Sequence, residues 1–210
     1  MSELTSILAD NYYLAAIFAP LAAIAVLLVE RRIIKIYLLA FQYLNVSWLT
    51  VMTLPIESAL AKLVAGLIAS LVLIVGAERS NQGRPDQRSS VGLPRGRVFR
   101  VAAVALVVIG TIGVSFESWI PVEAVLHLPQ RSATLLMVLA VLGISLYTDP
   151  MQVGISLLTL LSGFEIIYSA IEPALAVIAL LALVHLGIAL VVSYFEIVQS
   201  EVEDEVTSEA

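Results

Sequence analysis

Apolar runs long enough to cross a bilayer follow one another along this chain, each closed by charged residues or a proline. A spanning helix needs roughly 20 predominantly apolar residues. The first run, Tyr12 to Val29, opens on two tyrosines placed as interfacial anchors and ends at Glu30, Arg31, Arg32 and Lys35. The second covers Ile36 to Leu54, and Pro55 and Glu57 mark a tight turn into the third, Ser58 to Ala77. A loop rich in Gly, Pro, Ser and Arg follows, spanning 78–100. Val98 to Phe116 forms the fourth run, and a polar link with Pro121 and Pro129 leads to the fifth, Ala133 to Tyr147. The Thr148-Asp149-Pro150 turn opens the sixth, Met151 to Ile171, and Pro173 opens the seventh, which closes near Phe195. The acidic tail, 199–210, is expected to be disordered.

Inside lipid every backbone N–H and C=O must be paired within the protein, so continuous apolar runs predict helices. A barrel would alternate in ~10-residue segments instead. The expected fold is therefore an all-α integral membrane protein of about seven transmembrane helices in one domain, 1–210. Shifting the sequence by 123 positions lays the second and third runs on the sixth and seventh. Gln42 then meets Glu165, Asn45 meets Tyr168 and Lys62 meets His185. The division is a three-helix unit over 1–77, a connecting helix over 98–116 and a second unit over 133–198. One connector between two triplets gives both the same orientation, a parallel 3+1+3 repeat.

Composition agrees with the pattern. Of 210 residues, 60% are hydrophobic and 13% charged, against about 25% charged in soluble domains. Mean hydropathy is +1.00. The absence of cysteine excludes disulfides, thiolate metal sites and thiolate-held iron–sulfur clusters within this chain. Of two histidines, His127 falls in the polar link, which argues against a two-histidine haem. No cofactor is expected in the chain itself, and no nucleic-acid partner. The N-terminal stretch lacks a basic region before its apolar run, so the first span is expected to stay rather than be cleaved.

Charge sets the expected orientation. Arg31, Arg32, Lys35, Arg79, Arg84, Arg88, Arg95, Arg97 and Arg100 fall on one side of the bilayer, and Arg131 alone on the other. By the positive-inside rule the N-terminus is expected outside and the C-terminus in the cytoplasm, in a cell or inner membrane. The Arg-rich loop reads as a topology signal, or as a surface for anionic lipid or an acidic partner protein.

The candidate chemistry is four polar residues within spans. A charge at the bilayer centre costs about 2.5–3.5 kcal/mol on the insertion scale, so such groups usually face the bundle interior and lie on ion pathways. Glu165 sits well inside the sixth run, with Ser162, Tyr168 and Ser169 three or four residues away on its face. It reads either as a proton-relay carboxyl or as a neutral hydrogen-bonded packing group. Lys62 lies about 6–9 Å inside the outer face at 1.5 Å per residue, level with Glu165, where it pairs with that carboxyl or snorkels. His185 is too deep to snorkel, and reads as a titrating relay or as a neutral ring bonded to a carbonyl. Gln42, with Asn45, makes an uncharged polar face suited to bridging helices. No nucleophile–base–acid constellation is visible. The chain is not expected to be catalytic alone.

These residues resemble a known family. Gln42 and Lys62 match the Gln and Lys of the second and third spans in the hydrogenase-4 component E family, the membrane subunit of formate-hydrogenlyase-type complexes. Ser162-Gly163-Phe164-Glu165 is similar to the Gly-Leu-Glu stretch that carries a membrane glutamate in subunit K of respiratory complex I, a protein related to one of the small components of multisubunit Na⁺/H⁺ antiporters. Leu186-Gly187-Ile188-Ala189-Leu190 looks like the following helix. The second glutamate of subunit K falls on Leu183 here, a departure that either keeps a titratable group in that helix with changed chemistry, at His185, or alters the last relay step. The resemblance implies a subunit of a redox-driven, ion-translocating membrane complex, with redox centres in its partners. Those partners would be antiporter-like subunits and the membrane subunits of a hydrogenase or quinone module. The rival readings are a stand-alone small transporter and a purely structural membrane subunit. A small carrier usually breaks its helices with Gly or Pro at corresponding positions of its halves, whereas Pro55, Pro150 and Pro173 fall at span ends.

Overall fold

The computed structural model describes residues 12–51, 54–80, 96–113, 127–171 and 174–208. Among them, seven helices follow in order: α1 Tyr12–Leu28, α2 Arg32–Thr50, α3 Ile56–Ser80, α4 Arg97–Gly113, α5 His127–Leu146, α6 Pro150–Ile171 and α7 Leu175–Ser208. Five of them, α2, α3, α5, α6 and α7, are long and apolar enough to cross a bilayer, and α1 is a shorter apolar helix. The protein is an all-α membrane protein. Its outer surface carries Leu60, Val64, Leu71, Leu180, Leu183 and Leu190, all more than half exposed. Surface of that kind is stable against acyl chains and costly against water.

Local sequence explains the breaks. Asp149 caps α6, accepting the Gln152 N–H at 3.3 Å. Pro150 opens that helix, where its missing donor costs nothing. Several boundaries differ from the sequence reading. α2 starts at Arg32 rather than Ile36, so Arg32 and Lys35 are helical. α5 starts at His127, with Pro129 tolerated in its first turn. α7 runs past Phe195 to Ser208, so the acidic tail continues the helix instead of leaving it, since no Gly or Pro stands between Gly187 and Ser208 to stop it. Pro20 sits inside α1, away from any span end. The link around Pro121 lies outside the described residues.

Equivalent helices of the two triplets lie side by side. α1 pairs with α5, α2 with α6 and α3 with α7, while neighbours in sequence also pack. Each pair is parallel. Ser132 bonds the Ala16 carbonyl and Tyr147 the Leu27 carbonyl. Arg32 meets Asp149, and Gln42 meets Thr159. Lys62 lies level with His185 across Glu165, and Ser80 with Glu196. The parallel orientation of the repeat is thus present. Along α3 and α7, Lys62 and His185, 123 positions apart, lie at one level. Along α2 and α6, Gln42 faces Thr159, 117 positions on, while Glu165 faces Lys62 and His185.

Close approach depends on small residues. Ala15, Ala19 and Ala23 of α1 join Leu136 and Leu139 of α5 in one apolar cluster. A second cluster joins Leu39 of α2, Leu73 of α3, Ile155 and Leu158 of α6 and Ala189 of α7. Arg100 of α4 donates to Glu30 at 2.8 Å and to the Tyr147 hydroxyl at 3.3 Å. These contacts place the start of α4 at the same end of the bundle as the α1–α2 and α5–α6 turns.

Candidate functional site

Four helices, α2, α3, α6 and α7, surround a small polar site in the apolar interior. It is lined by Tyr43, Ser47, Lys62, Glu165 and His185, with Val46, Ala65 and Ala182 closing the sides. Glu165 is its centre. Its Oε2 lies 3.9 Å from Lys62 Nζ and its Oε1 lies 3.5 Å from His185 Nδ1. Glu165, Lys62 and His185 are all buried. An ammonium and an imidazole from different helices therefore converge on one carboxyl that is about 22 Å from the start of α6 and 9 Å from its end, at 1.5 Å per residue.

The backbone orients these groups. His185 Nδ1 sits 3.0 Å from the Leu181 carbonyl one turn back, which assigns the Nδ1–H tautomer and leaves Nε2 as the basic nitrogen. Among the described residues, Nε2 is buried without a hydrogen-bond partner, as is Lys62 Nζ. The Tyr43 ring packs edge-on to the His185 ring, centroids 5.5 Å apart, and lies against Gly66 of α3. The cavity between the groups offers about 10 Å³ to a water centre, the room of a single water molecule. Lys62, Glu165 and His185 all line this cavity, so a water in it would lie among the three groups that could pass a proton.

The other sequence candidates divide. Gln42 is fully buried, with its Oε1 3.5 Å from the Thr159 hydroxyl and its Nε2 without a partner. Asn45 donates to the Phe41 carbonyl at 2.8 Å, a local bond within α2. Ser162 donates to the Leu158 carbonyl and Ser169 to the Ile166 carbonyl, the usual return bonds of serine in helices. Tyr168 stacks on Phe164 at 5.2 Å. Leu183 is 66% exposed on the outer surface of the bundle, while His185 faces inward.

Sequence reading missed a second ionic cluster, at the end of the bundle that carries the α1–α2 and α5–α6 turns. Arg32 spans two carboxylates: Nη1 donates to Glu196 Oε2 at 2.7 Å and Nη2 to Asp149 Oδ1 at 2.8 Å. Glu196 is fully buried and also accepts the Met151 N–H at 3.2 Å. Beside this cluster Lys35 donates to Gln152 Oε1 at 2.6 Å and sits 4.7 Å over the Tyr147 ring. The available signals were weak. Arg32 and Lys35 read as flanking charges, Asp149 as a turn residue and Glu196 as the start of the tail. Tyr43 and Ser47 carried no signal beyond falling near Gln42.

Comparison with protein-family models, with curated proteins and with solved structures finds no match for this chain.

Proposed function

We propose that this chain is a membrane subunit of a complex-I-like, redox-driven ion-translocating assembly, in which it supplies part of the transmembrane proton path and a scaffold for neighbouring subunits. The observation that carries the reading is the convergence of Lys62, Glu165 and His185 inside the bundle. Three ionisable groups from three helices are expensive to bury. A purely structural bundle of this composition packs without them. In the relay, the Glu165 carboxylate, balanced by the Lys62 ammonium, takes a proton and the site gains one positive charge. Movement of charge elsewhere in the assembly shifts the balance among the three and releases the proton. The short Ser-Gly-Phe-Glu stretch supports the same reading through its similarity to the glutamate-bearing helix of subunit K. Membership of the hydrogenase-4 component E family, with antiporter-like and hydrogenase or quinone-module partners holding the redox centres, belongs to this proposal. So does an outside N-terminus with a cytoplasmic C-terminus, supported by the asymmetry of basic residues.

The rival is a stand-alone small carrier. α1 runs unbroken from Tyr12 to Leu28 through Pro20, and α5 runs unbroken from His127 to Leu146. The halves thus lack the matched breaks of carriers. Isolation from the native membrane in mild detergent tests the proposal. Co-purification with antiporter-like and hydrogenase-like or quinone-module chains is the expected result. A chain that purifies alone and carries a solute in liposomes contradicts it.

A further inference from the structure

Polar side chains continue along α6 from the Arg32 cluster towards Glu165. Asp149, Gln152, Ser156, Thr159, Ser162 and Glu165 follow at steps of three or four residues, so each lies about one turn from the next. Ser156, Thr159, Ser162 and Glu165 are buried. α2 contributes to the same seam through Arg32 on Asp149, Lys35 on Gln152 and Gln42 beside Thr159. The amide of Gln42 ends the sequence of contacts with an unpartnered, fully buried Nε2. Close to Glu165 the Tyr43 hydroxyl is buried and, among the described residues, has no hydrogen-bond partner. Ser156, Thr159 and Ser162 each donate to a carbonyl one turn back, which satisfies the hydroxyl proton and leaves the oxygen able to accept. The costly feature of the seam is the buried Gln42 Nε2, which has no partner among the described residues.

We propose that this seam is an access path connecting Glu165 with the Arg-rich-loop side of the membrane, and that the Arg32–Asp149–Glu196 cluster is its mouth. The inference rests on reading Glu165 as the ion-carrying group, and names the side from which it is reached. Glu196 is the receiving carboxylate. It is held by Arg32 from α2, lies 3.5 Å from the Ser80 hydroxyl of α3, and shares Arg32 with Asp149 at the start of α6. Transfer proceeds by hydroxyl, amide and water steps past Lys35–Gln152, Ser156 and Thr159–Gln42. At its inner end the path meets Glu165, which faces Lys62 from α3, His185 from α7 and Tyr43 from α2. The path covers about 24 Å along α6, sixteen residues at 1.5 Å each.

The test uses the intact complex in sealed vesicles with the Arg-rich loop outward, treated with N,N′-dicyclohexylcarbodiimide, which reacts with protonated membrane-buried carboxyls. Adduct on Glu165 is read by mass spectrometry while pH is changed on one side and clamped on the other. Raising the loop-side pH is expected to lower the Glu165 adduct, and raising the opposite-side pH with the loop side clamped to leave it unchanged. In Thr159→Val, and in Gln42→Leu, the response to loop-side pH should slow by about fivefold or more. Thr159→Ser, which restores the hydroxyl, should recover it and show that the effect is not misfolding. Labelling that ignores loop-side pH, or that follows it equally fast in Thr159→Val and Gln42→Leu, overturns the path. The relay role of Glu165 is read separately by ion movement in Glu165→Gln, so the two ideas fail on different measurements.

Discussion

Gly66 is where α3 passes the Tyr43 ring, and alanine there is the sharpest probe of how the site is packed. A Cβ at this position meets three ring carbons of Tyr43 at 2.5, 2.6 and 2.9 Å. Contacts that short force a neighbour to move. The neighbour is a stiff aromatic ring, buried on one side by Gly66 and on the other by His185. Overpacking of this kind costs roughly 1–3 kcal/mol. Gly187 of α7 provides the control, because a Cβ there meets nothing within 4 Å. Both changes gain about 1 kcal/mol of helix propensity. Gly187→Ala should therefore keep that gain, while Gly66→Ala should fall below it by roughly 1–3 kcal/mol. Thermal unfolding in the same detergent reads the difference, at about 2–4 °C per kcal/mol for a chain of this size. Displacement of Tyr43 towards His185 should also slow ion movement in Gly66→Ala and leave Gly187→Ala near the wild-type rate. Equal stability of the two variants would show that α3 does not approach α2 as described.

Two further outcomes follow from charge. Arg32→Met leaves Glu196 and Asp149 without their shared cation and should destabilise by about 3–5 kcal/mol. Arg32→Met combined with Glu196→Gln should recover part of that loss in the same unfolding assay. A tag on the N-terminus should be reached from outside intact cells, and one on the C-terminus only after permeabilisation. Both tags on one side would remove a crossing and the parallel arrangement with it.

The helices were legible because each apolar run is long and each break carries charge or proline, as at Glu30–Lys35 and Asp149-Pro150. Helix ends were less so. Arg32 and Lys35 are charged, yet they belong to α2, because Asp149 and Gln152 of α6 bond them inside the bundle. A single helix pattern does not contain that partner. The shared level of Lys62 and Glu165 followed from counting residues inward from span ends, and the structure brings them to 3.9 Å. Their common face with His185 did not follow, since it depends on how α3, α6 and α7 rotate against one another. Spacing placed Ser162 and Ser169 on the face of Glu165 but did not give their partners. Ser162 returns its proton to the backbone of its own helix, a local bond available to any helical serine. The repeat was legible as an arrangement of parallel triplets, and Lys62 and His185, matched at 123 positions, meet the same carboxyl in the structure.

The central claim is that Glu165 carries an exchangeable proton in ion coupling. Glu165→Gln keeps the shape and most hydrogen-bonding capacity and removes the ionisable group. Ion uptake driven by the redox reaction, measured in membrane vesicles alongside assembly of the complex, tests the claim directly. The account predicts normal assembly with ion uptake lost in Glu165→Gln and partly retained in Glu165→Asp. A Glu165→Gln complex that assembles and moves ions at the wild-type rate would contradict it and leave Glu165 with a packing role.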